Sequence, residues 1–445
     1  MSSIQEKATA SILSVIRARR KSASALPSDL PLPSPGVLPR AAIREASFSD
    51  FRAVAALKQR GGLVADSFEN WERLWRHNPA LTVSQSDHPI GWVLEADGAI
   101  VGYLGNISLL CRFGDRTLTA ATSHGLVVDP PYRSLGLTLI AAFFRQKSVD
   151  LFLSTSAIES VGKIAIAFKS SSVPQPDYDT VLFWVLQPRP FAQALMKKLQ
   201  LKPAVSGIGE ILASIAVGTD KILRKRRPKR SSALFAMSEI TITEIGDDFQ
   251  ALWMEKANET PRVLADRSPA TLRWHYEIPG DRGSLRVLCC HKNGELVGYA
   301  MVRSDTDEMS GLRKSMIADL VARHDDPEIV NALCVAAYDH AKSAGSHVFE
   351  VIGFPSSIRR VCSQGNPYRR KLPACPFFYK AADPTLHKTL SDPAAWYACP
   401  FDGDATLIRP SYSDSVPPRV TKLPTRDTTG NIMSGVFVRE HTEVR

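Results

Sequence analysis

The 445-residue sequence has no run of about 20 uninterrupted apolar residues, the length that a helix needs to cross a bilayer. Its seven cysteines are an odd number, and no two of them stand in the C-x-x-C spacing typical of zinc and redox sites. Residues 1–21 carry their arginines after a short apolar run, whereas a signal peptide has its positive charges before that run. These absences argue against a membrane span, a disulfide framework and a metal site. They predict a cytoplasmic protein.

Positive charge is concentrated in one segment. The net charge is +10, and residues 221–230 alone carry seven positive charges and no acidic residue. A nucleic-acid-binding protein spreads lysine and arginine along a groove and interleaves stacking aromatic residues. We therefore expect no specific nucleic-acid partner and interpret 221–230 as a solvated basic linker. The alternative is weak contact of this linker with anionic surfaces, because the apolar run 208–217 lies just upstream.

An internal repeat indicates two related halves. The sequence DGAIVGY at 97–103 recurs as NGELVGY at 293–299, and each copy follows a tryptophan-bearing helix that stops before a proline. Those helices read WRHNP from Trp75 and WHYEIP from Trp274. Two echoes in the same order at nearly equal offsets predict that the second half repeats the first.

Each half is expected to form a mixed α/β sheet. In the first half, strands at 90–95, 100–110 and 116–128 form an antiparallel meander, and helices then alternate with strands up to a strand at 181–186. The expected organisation is a flexible Pro- and Ser-rich leader (1–40), a first domain (41–200), a basic linker (201–237), a second domain (238–380) and a C-terminal tail (381–445).

The most informative motif is a strand-to-helix junction, LVVDPPYRSLGLT at 126–138. Such a junction aims free backbone N–H groups at an anion, and an arginine fork adds a cation suited to phosphate. Here the sequence resembles the GNAT acyltransferase superfamily, whose hallmark is a strand L-x-V-x-P followed by R/Q-x-x-G-x-G/A. The matching residues are Leu126, Val128, Pro130, Arg133 and Gly136. Thr138 departs from the pattern, because the family has a small residue there.

The resemblance implies two GNAT-like acyl-CoA acyltransferase domains in tandem and an N-acetyltransferase activity with acetyl-CoA or another acyl-CoA as co-substrate. It implies that the coenzyme A pyrophosphate is wrapped by Arg133, Ser134, Leu135, Gly136, Leu137 and Thr138. The pantetheine arm would pair with the backbone of Leu126, Val127 and Val128. The expected acceptor is an amine or hydroxyl of a small molecule or saccharide precursor.

The corresponding junction of the second half reads HDDPEIV from His324 and has no glycine. Its carboxylates, Asp325, Asp326 and Glu328, would repel a pyrophosphate, so a carboxylate-capped helix starting near Pro327 is the simpler interpretation. We therefore expect the second half to be degenerate and not to bind coenzyme A.

Acyl transfer to an amine needs a base for the attacking nitrogen and an acid for the leaving thiolate. The glutamate and tyrosine that the resemblance implies for these roles are not clearly present. The candidates are His124, two residues before Leu126 on the same strand, together with Tyr178 and Glu159. Each has a structural alternative as a packed or solvent-exposed side chain.

Two other functions stay open. The missing glutamate and tyrosine favour a non-catalytic GNAT-like ligand-binding or scaffold protein. Aminoacyl-tRNA-dependent transferases of the peptidoglycan-bridge type use the same doubled fold, but they need no coenzyme A pyrophosphate loop, so Arg133 and Gly136 argue against them. The tail segment DPAAWYACPFDGD is expected to fold back on either half. Its carboxylates, Asp392, Asp402 and Asp404, would meet a cationic acceptor or cap turns.

Overall fold

The computed structural model describes residues 40–407, except 85–87, 158, most of 199–233, 280–282 and 373–376. The predicted leader, most of the basic linker and the tail beyond residue 407 lie outside the described residues. Within these ranges no helix is both long and apolar enough to span a bilayer. We call residues 40–198 the first half and residues 234–407 the second half.

The first half follows the predicted order of strands and helices. Its elements are β1 (Ala42–Glu45), α1 (Phe51–Arg60), α2 (Phe68–Trp75), α3 (Pro79–Ser84), β2 (Gly91–Ala96), β3 (Ala99–Phe113), β4 (Arg116–Val128), α4 (Gly136–Phe144), β5 (Leu151–Ser154), α5 (Glu159–Ala167), β6 (Ser171–Ser172), β7 (Thr180–Val185) and α6 (Pro188–Lys198).

The second half repeats this order from its first strand. Its elements are β8 (Ala236–Ile240), α7 (Asp247–Glu259), β9 (Leu264–Ala265), α8 (Pro269–Tyr276), β10 (Leu285–Lys292), β11 (Glu295–Asp307), β12 (Leu312–Ala322), α9 (Pro327–Ser343), β13 (Val348–Val351), α10 (Ser356–Ser363), β14 (Tyr368–Lys371), β15 (Phe378–Ala381) and α11 (Pro384–Thr389).

Two mixed sheets hold these strands, and strands cross between the halves: β7 of the first half lies in the second sheet, whereas β9 and β15 of the second half lie in the first sheet. The first sheet has the order β1-β2-β3-β4-β5-β15-β6, and the second has the order β14-β7-β13-β12-β11-β10-β8. The prediction that the strand near 181–186 completes the first sheet is wrong, because β7 pairs with β13 and β14. Its place beside β5 is taken by β15. Sequence periodicity marks a strand but not its partner, so this exchange could not be read from the pattern.

Local structure supports the internal repeat. Ser47 with Asp50 and Thr241 with Glu244 form capping boxes at corresponding positions after the first strand of each half. The echoed turns also agree, because Asp97 and Asn293 both have positive φ, as does the residue after each. Two successive residues with positive φ are typical of the type I′ hairpin turn that two antiparallel strands favour.

The first sheet carries helices on both faces. Trp71 and Trp75 of α2 pack with Leu57 of α1 on one face, in an apolar core that continues into the second half. On the other face α4 packs through Leu139 and Phe143 against a separate cluster. These packed faces fix which side of the sheet each β4 side chain points to.

Candidate active site

Strands β4 and β5 are paired over only three residues and then diverge. Residues 120–122 pair in parallel with residues 151–153, and β4 then continues to Val128. No pairing of residues 123–128 on that side is found among the described residues. We call the opening between 123–128 and 154–157 the first cleft. Leu126, Val127 and Val128 lie on its free edge, where their backbone groups can pair with an extended ligand.

A β-bulge at Gly125 shapes this edge. Gly125 and Leu126 together face Leu104, because the register steps from the pair His124–Gly105 to the pair Val127–Tyr103. Gly125 has a φ of +66°, and a Cβ there would lie 2.9 Å from Cε of Lys58. Only glycine fits both the backbone conformation and the close approach.

At the junction after β4 the Gly136 N–H donates to the Arg133 carbonyl, and no side chain caps the helix start. Residues Pro130–Leu135 form a 3-10 turn, and α4 begins at Gly136. Thr138 does not cap it either, because its hydroxyl donates to the Leu135 carbonyl at 2.6 Å. Arg133 is exposed and has no ion-pair partner among the described residues. Uncapped N–H groups at a helix start and a free arginine favour an anionic ligand.

His124 belongs to a buried polar cluster. Its Nε2 lies 3.1 Å from Nζ of Lys58 and 3.4 Å from Oδ2 of Asp66, and Lys58 donates to the same Oδ2 at 2.5 Å. Burial alone would raise the pKa of Asp66, but the hydrogen bond from His124 and the charge of Lys58 outweigh burial and hold this pKa well below its usual range. The cluster thus places a carboxylate and an ammonium against one nitrogen of the imidazole ring.

Three buried polar atoms near this cluster have no hydrogen-bond partner among the described residues: Nε1 of Trp71, Oη of Tyr103 and Oγ1 of Thr122. Trp71 contacts the ring of Tyr103, and Thr122 is the last β4 residue paired with β5. By strand alternation Thr122 and His124 point to the same face of the sheet. A buried polar atom without a partner costs about 1–3 kcal/mol, so each of these groups favours a polar ligand or water beside it. Of the three, Thr122 is the one at the vertex of the first cleft.

The other two predicted catalytic residues lie elsewhere. Tyr178 is buried, donates to the Cys399 carbonyl at 3.4 Å and packs edge-on against Phe377. Glu159 is exposed, and its salt bridge with Lys163, at 2.7 Å, lowers its pKa. No described contact joins either residue to His124.

The second half has a counterpart of the His124 cluster with different chemistry. Lys256 corresponds to Lys58 and is also buried, but it donates to Glu259 and Asp325. Ser67 and Ser268 cap equivalent helices. Arg267, just before Ser268, therefore stands where the first half has an aspartate, Asp66.

Asp319 stands on β12 in the place of His124, opposite Met301 of β11 as His124 is opposite Gly105 of β3. Arg267 forms an ion pair with it at 3.1 Å, and the Tyr299 hydroxyl, the counterpart of Tyr103, donates to it at 3.0 Å. The polar groups of the second cluster therefore bond to one another. An aspartate replaces the histidine, and the tyrosine hydroxyl has a hydrogen-bond partner.

The chain itself fills the corresponding cleft of the second half. Beyond the paired residues of β12 and β13, the Tyr397 hydroxyl donates to the Leu320 carbonyl at 2.5 Å, and the Phe354 N–H donates to the Ala398 carbonyl at 2.9 Å. We call residues 392–407 the C-terminal segment. The nearby junction is acidic, with Asp326 capping α9 as the sequence predicts.

Sequence reasoning missed Lys58, Asp66, Tyr103 and Thr122. Two of them leave a trace in the repeat, since Tyr103 is echoed by Tyr299 and Lys58 by Lys256 at a similar offset. A lysine repeated on the apolar face of both first helices is a signal for a buried ion pair. Asp66 lies in an irregular loop and leaves no such trace.

No protein-family model matches the sequence, and no curated protein matches it. Solved structures do resemble it. A GCN5-related N-acetyltransferase from Anabaena variabilis ATCC 29413 matches with a TM-score of 0.50 at 10% identity, covering 77% of this chain and 73% of that chain. A conserved protein of unknown function from Enterococcus faecalis V583 matches with a TM-score of 0.50 at 11% identity and the same coverage.

Proposed function

Because this chain has the fold of the GCN5-related N-acetyltransferases, the GNAT superfamily, we propose that it transfers an acyl group, preferably acetyl, from coenzyme A to an acceptor amine. The single observation that carries the proposal is the first cleft. It combines a free β4 edge, an uncapped helix start and a buried histidine cluster within one continuous stretch, residues 122–138. In the second half the chain covers the β12 edge, Asp326 caps the start of α9, and Asp319 stands in place of the histidine.

The residues of the first cleft fit coenzyme A. The start of α4, which no side chain caps, and the exposed Arg133 would hold its pyrophosphate, and the backbone of 126–128 would pair with its pantetheine arm. When bound, acyl-CoA supplies an activated thioester carbonyl. The Thr122 hydroxyl at the cleft vertex has no hydrogen-bond partner among the described residues, and it would bond to an oxygen of the ligand.

His124 is the base in this proposal. Its Nε2 lies within hydrogen-bond distance of Lys58 Nζ and Asp66 Oδ2, and its Nδ1 has no hydrogen-bond partner among the described residues. Because an ammonium can only donate, Nε2 accepts from Lys58 in one tautomer and donates to Asp66 in the other. When Nε2–H donates to Asp66, Nδ1 carries a lone pair and can take a proton from the acceptor ammonium. Asp66 then stabilises the imidazolium, in the way that a carboxylate supports the histidine of a hydrolase triad.

The transfer balances without any further reagent. His124 takes one proton from the acceptor ammonium, and the nitrogen lone pair then forms a C–N bond to the thioester carbonyl as the C–S bond breaks. The second proton lost by that nitrogen goes to the departing thiolate. The six cysteines among the described residues are free and buried, which favours placing this reaction in the reducing cytoplasm.

The test is His124→Ala, assayed by transfer of labelled acetyl from acetyl-CoA to a panel of amines. We expect turnover to fall about a hundredfold or more while the affinity for acetyl-CoA, measured by calorimetry, stays unchanged. His324→Ala is the matched control, because His324 is an exposed histidine of the second half. Full turnover in His124→Ala would remove His124 from the mechanism, and failure of the wild type to bind acetyl-CoA would remove the proposed function.

A further inference from the structure

We propose that Asp404, carried by the C-terminal segment to the lip of the first cleft opposite His124, binds the ammonium group of the acceptor. The acceptor is then a cationic primary amine and not an alcohol. This inference rests on the proposed function, because it assigns the acceptor class of the same site.

The C-terminal segment is docked tightly onto the end of β5. The Asp404 carboxylate accepts from the Thr155 hydroxyl and from the Ser156 hydroxyl, each at 2.8 Å, and the Asp404 N–H donates back to Thr155 at 3.0 Å. Gly403 has a φ of +130°, and a Cβ on it would lie 2.3 Å from Oγ1 of Thr155. Residue 403 can lie this close to Thr155 only because it has no side chain, so the glycine helps to fix the position of Asp404.

The strand register sets Thr155 across the first cleft from His124. The last parallel pair joins Thr122 to Leu153. Two residues further along, where the strands have separated, the chain reaches His124 on one lip and Thr155 on the other. Leu153 belongs to the core on the α1 and α2 face, and β5 ends at Ser154, so the hydroxyl of Thr155 is placed by its hydrogen bond to Asp404 and not by strand alternation.

Asp404 differs from the other buried carboxylates in having no cation. Among the described residues, buried carboxylates and their cationic partners are Asp50 with Arg44, Asp319 with Arg267, Glu350 with Arg370 and Asp402 with Arg267. Asp404 is 9% exposed and is bound only by two hydroxyls and a backbone contact. A buried carboxylate without a counter-charge is costly, and a ligand ammonium at the lip of the cleft removes that cost.

The same segment provides its own controls. Asp392 is exposed and caps a short 3-10 turn through the Ala394 N–H, and Asp402 is used by Arg267 and the Cys399 N–H. Neither is free to receive an ammonium at the first cleft. The three carboxylates of the segment thus have three different surroundings, and only Asp404 has the one that a cationic acceptor needs.

Calorimetry with spermidine as the probe tests this without turnover when the protein is loaded with coenzyme A, which carries no acyl group to transfer. We expect wild-type protein to bind spermidine, and Asp404→Asn to weaken that binding at least tenfold, because a charge-assisted hydrogen bond is lost. Asp404→Glu should retain part of the affinity, and Asp392→Asn should retain all of it. The affinity of every variant for acetyl-CoA should equal that of the wild type.

Three outcomes would overturn the inference while leaving the proposed function intact. The first is no spermidine binding by the wild type, and the second is equal affinity in Asp404→Asn. The third is transfer of labelled acetyl to propanol in preference to propylamine. Loss of acetyl-CoA binding by the wild type would instead remove the proposed function itself.

Discussion

Asp66 and Arg267 occupy equivalent positions, each directly before the serine that caps a tryptophan-bearing helix, yet they carry opposite charges. Asp66 contacts a histidine on the neighbouring strand, whereas Arg267 pairs with an aspartate there. In the first half this leaves an acid–base group beside an open cleft. In the second half it forms a buried ion pair, in which Arg267 faces both Asp319 and Asp402, under a cleft that the chain fills. In the proposed function, the first repeat carries the chemistry.

Asp66→Asn should destabilise the protein by about 3–5 kcal/mol, because it leaves the buried Lys58 without its carboxylate. Urea unfolding measures this change. Glu159→Gln breaks the exposed pair with Lys163 and should cost at most about 0.5 kcal/mol. The double variant Asp66→Asn with Lys58→Met should recover most of the loss. A change below about 1 kcal/mol in Asp66→Asn would contradict the role given to this ion pair.

The contribution of Asp66 to stability should depend on pH. Its pKa is lowered in the folded protein, so its stabilisation is complete above the unfolded pKa of about 4 and is lost as the pH falls below that value. The difference in unfolding free energy between wild type and Asp66→Asn should therefore be constant near neutral pH and shrink on acidification below pH about 4. A difference that grew on acidification would have the wrong sign for this mechanism.

Tyr397 should matter for stability but not for coenzyme stoichiometry. Tyr397→Ala removes a fully buried ring and should cost about 3–5 kcal/mol, whereas Tyr397→Phe loses only the hydrogen bond to Leu320 and should cost about 1–3 kcal/mol. Neither variant should gain a second acetyl-CoA site, since Asp325 and Asp326 remain at the junction. Calorimetric titration checks this, and a second bound equivalent would show that only the C-terminal segment blocks the second half.

β15 belongs to the second half in sequence but pairs with β5, so its packing should stabilise the first sheet. Phe378 of β15 packs against Gly162 of α5, so Phe378→Ala should loosen the sheet far from it in sequence. Hydrogen exchange should show lost protection in residues 151–167 before residues 312–322. The opposite order would mean that β15 stabilises mainly its own half.

Much of the fold could be predicted from the sequence, because strands and helices alternate with clear periodicity and the hairpin turn of the first half recurs in the second half. The strand exchange could not, because the apolar pattern of β7 or β15 fits either sheet equally well. At the site, the motif around Arg133 and Gly136 was readable because a strand-to-helix junction has a local signature. Asp66 could not be assigned, because it reaches His124 from an irregular loop. The sequence left Asp404 as one of three carboxylates that would meet a cationic acceptor or cap turns, because its contact with Thr155 joins residues 249 positions apart in the chain.

The central claim is that the first half holds one coenzyme A site and the second half holds none. Calorimetric titration of the full chain with acetyl-CoA tests it most directly, with wild type compared with the double variant Arg133→Ala, Gly136→Asp. The account predicts one equivalent bound per chain by the wild type and severe weakening in the variant, because a carboxylate at the start of α4 repels the pyrophosphate. Two equivalents per chain, or unchanged affinity in a folded variant, would contradict it.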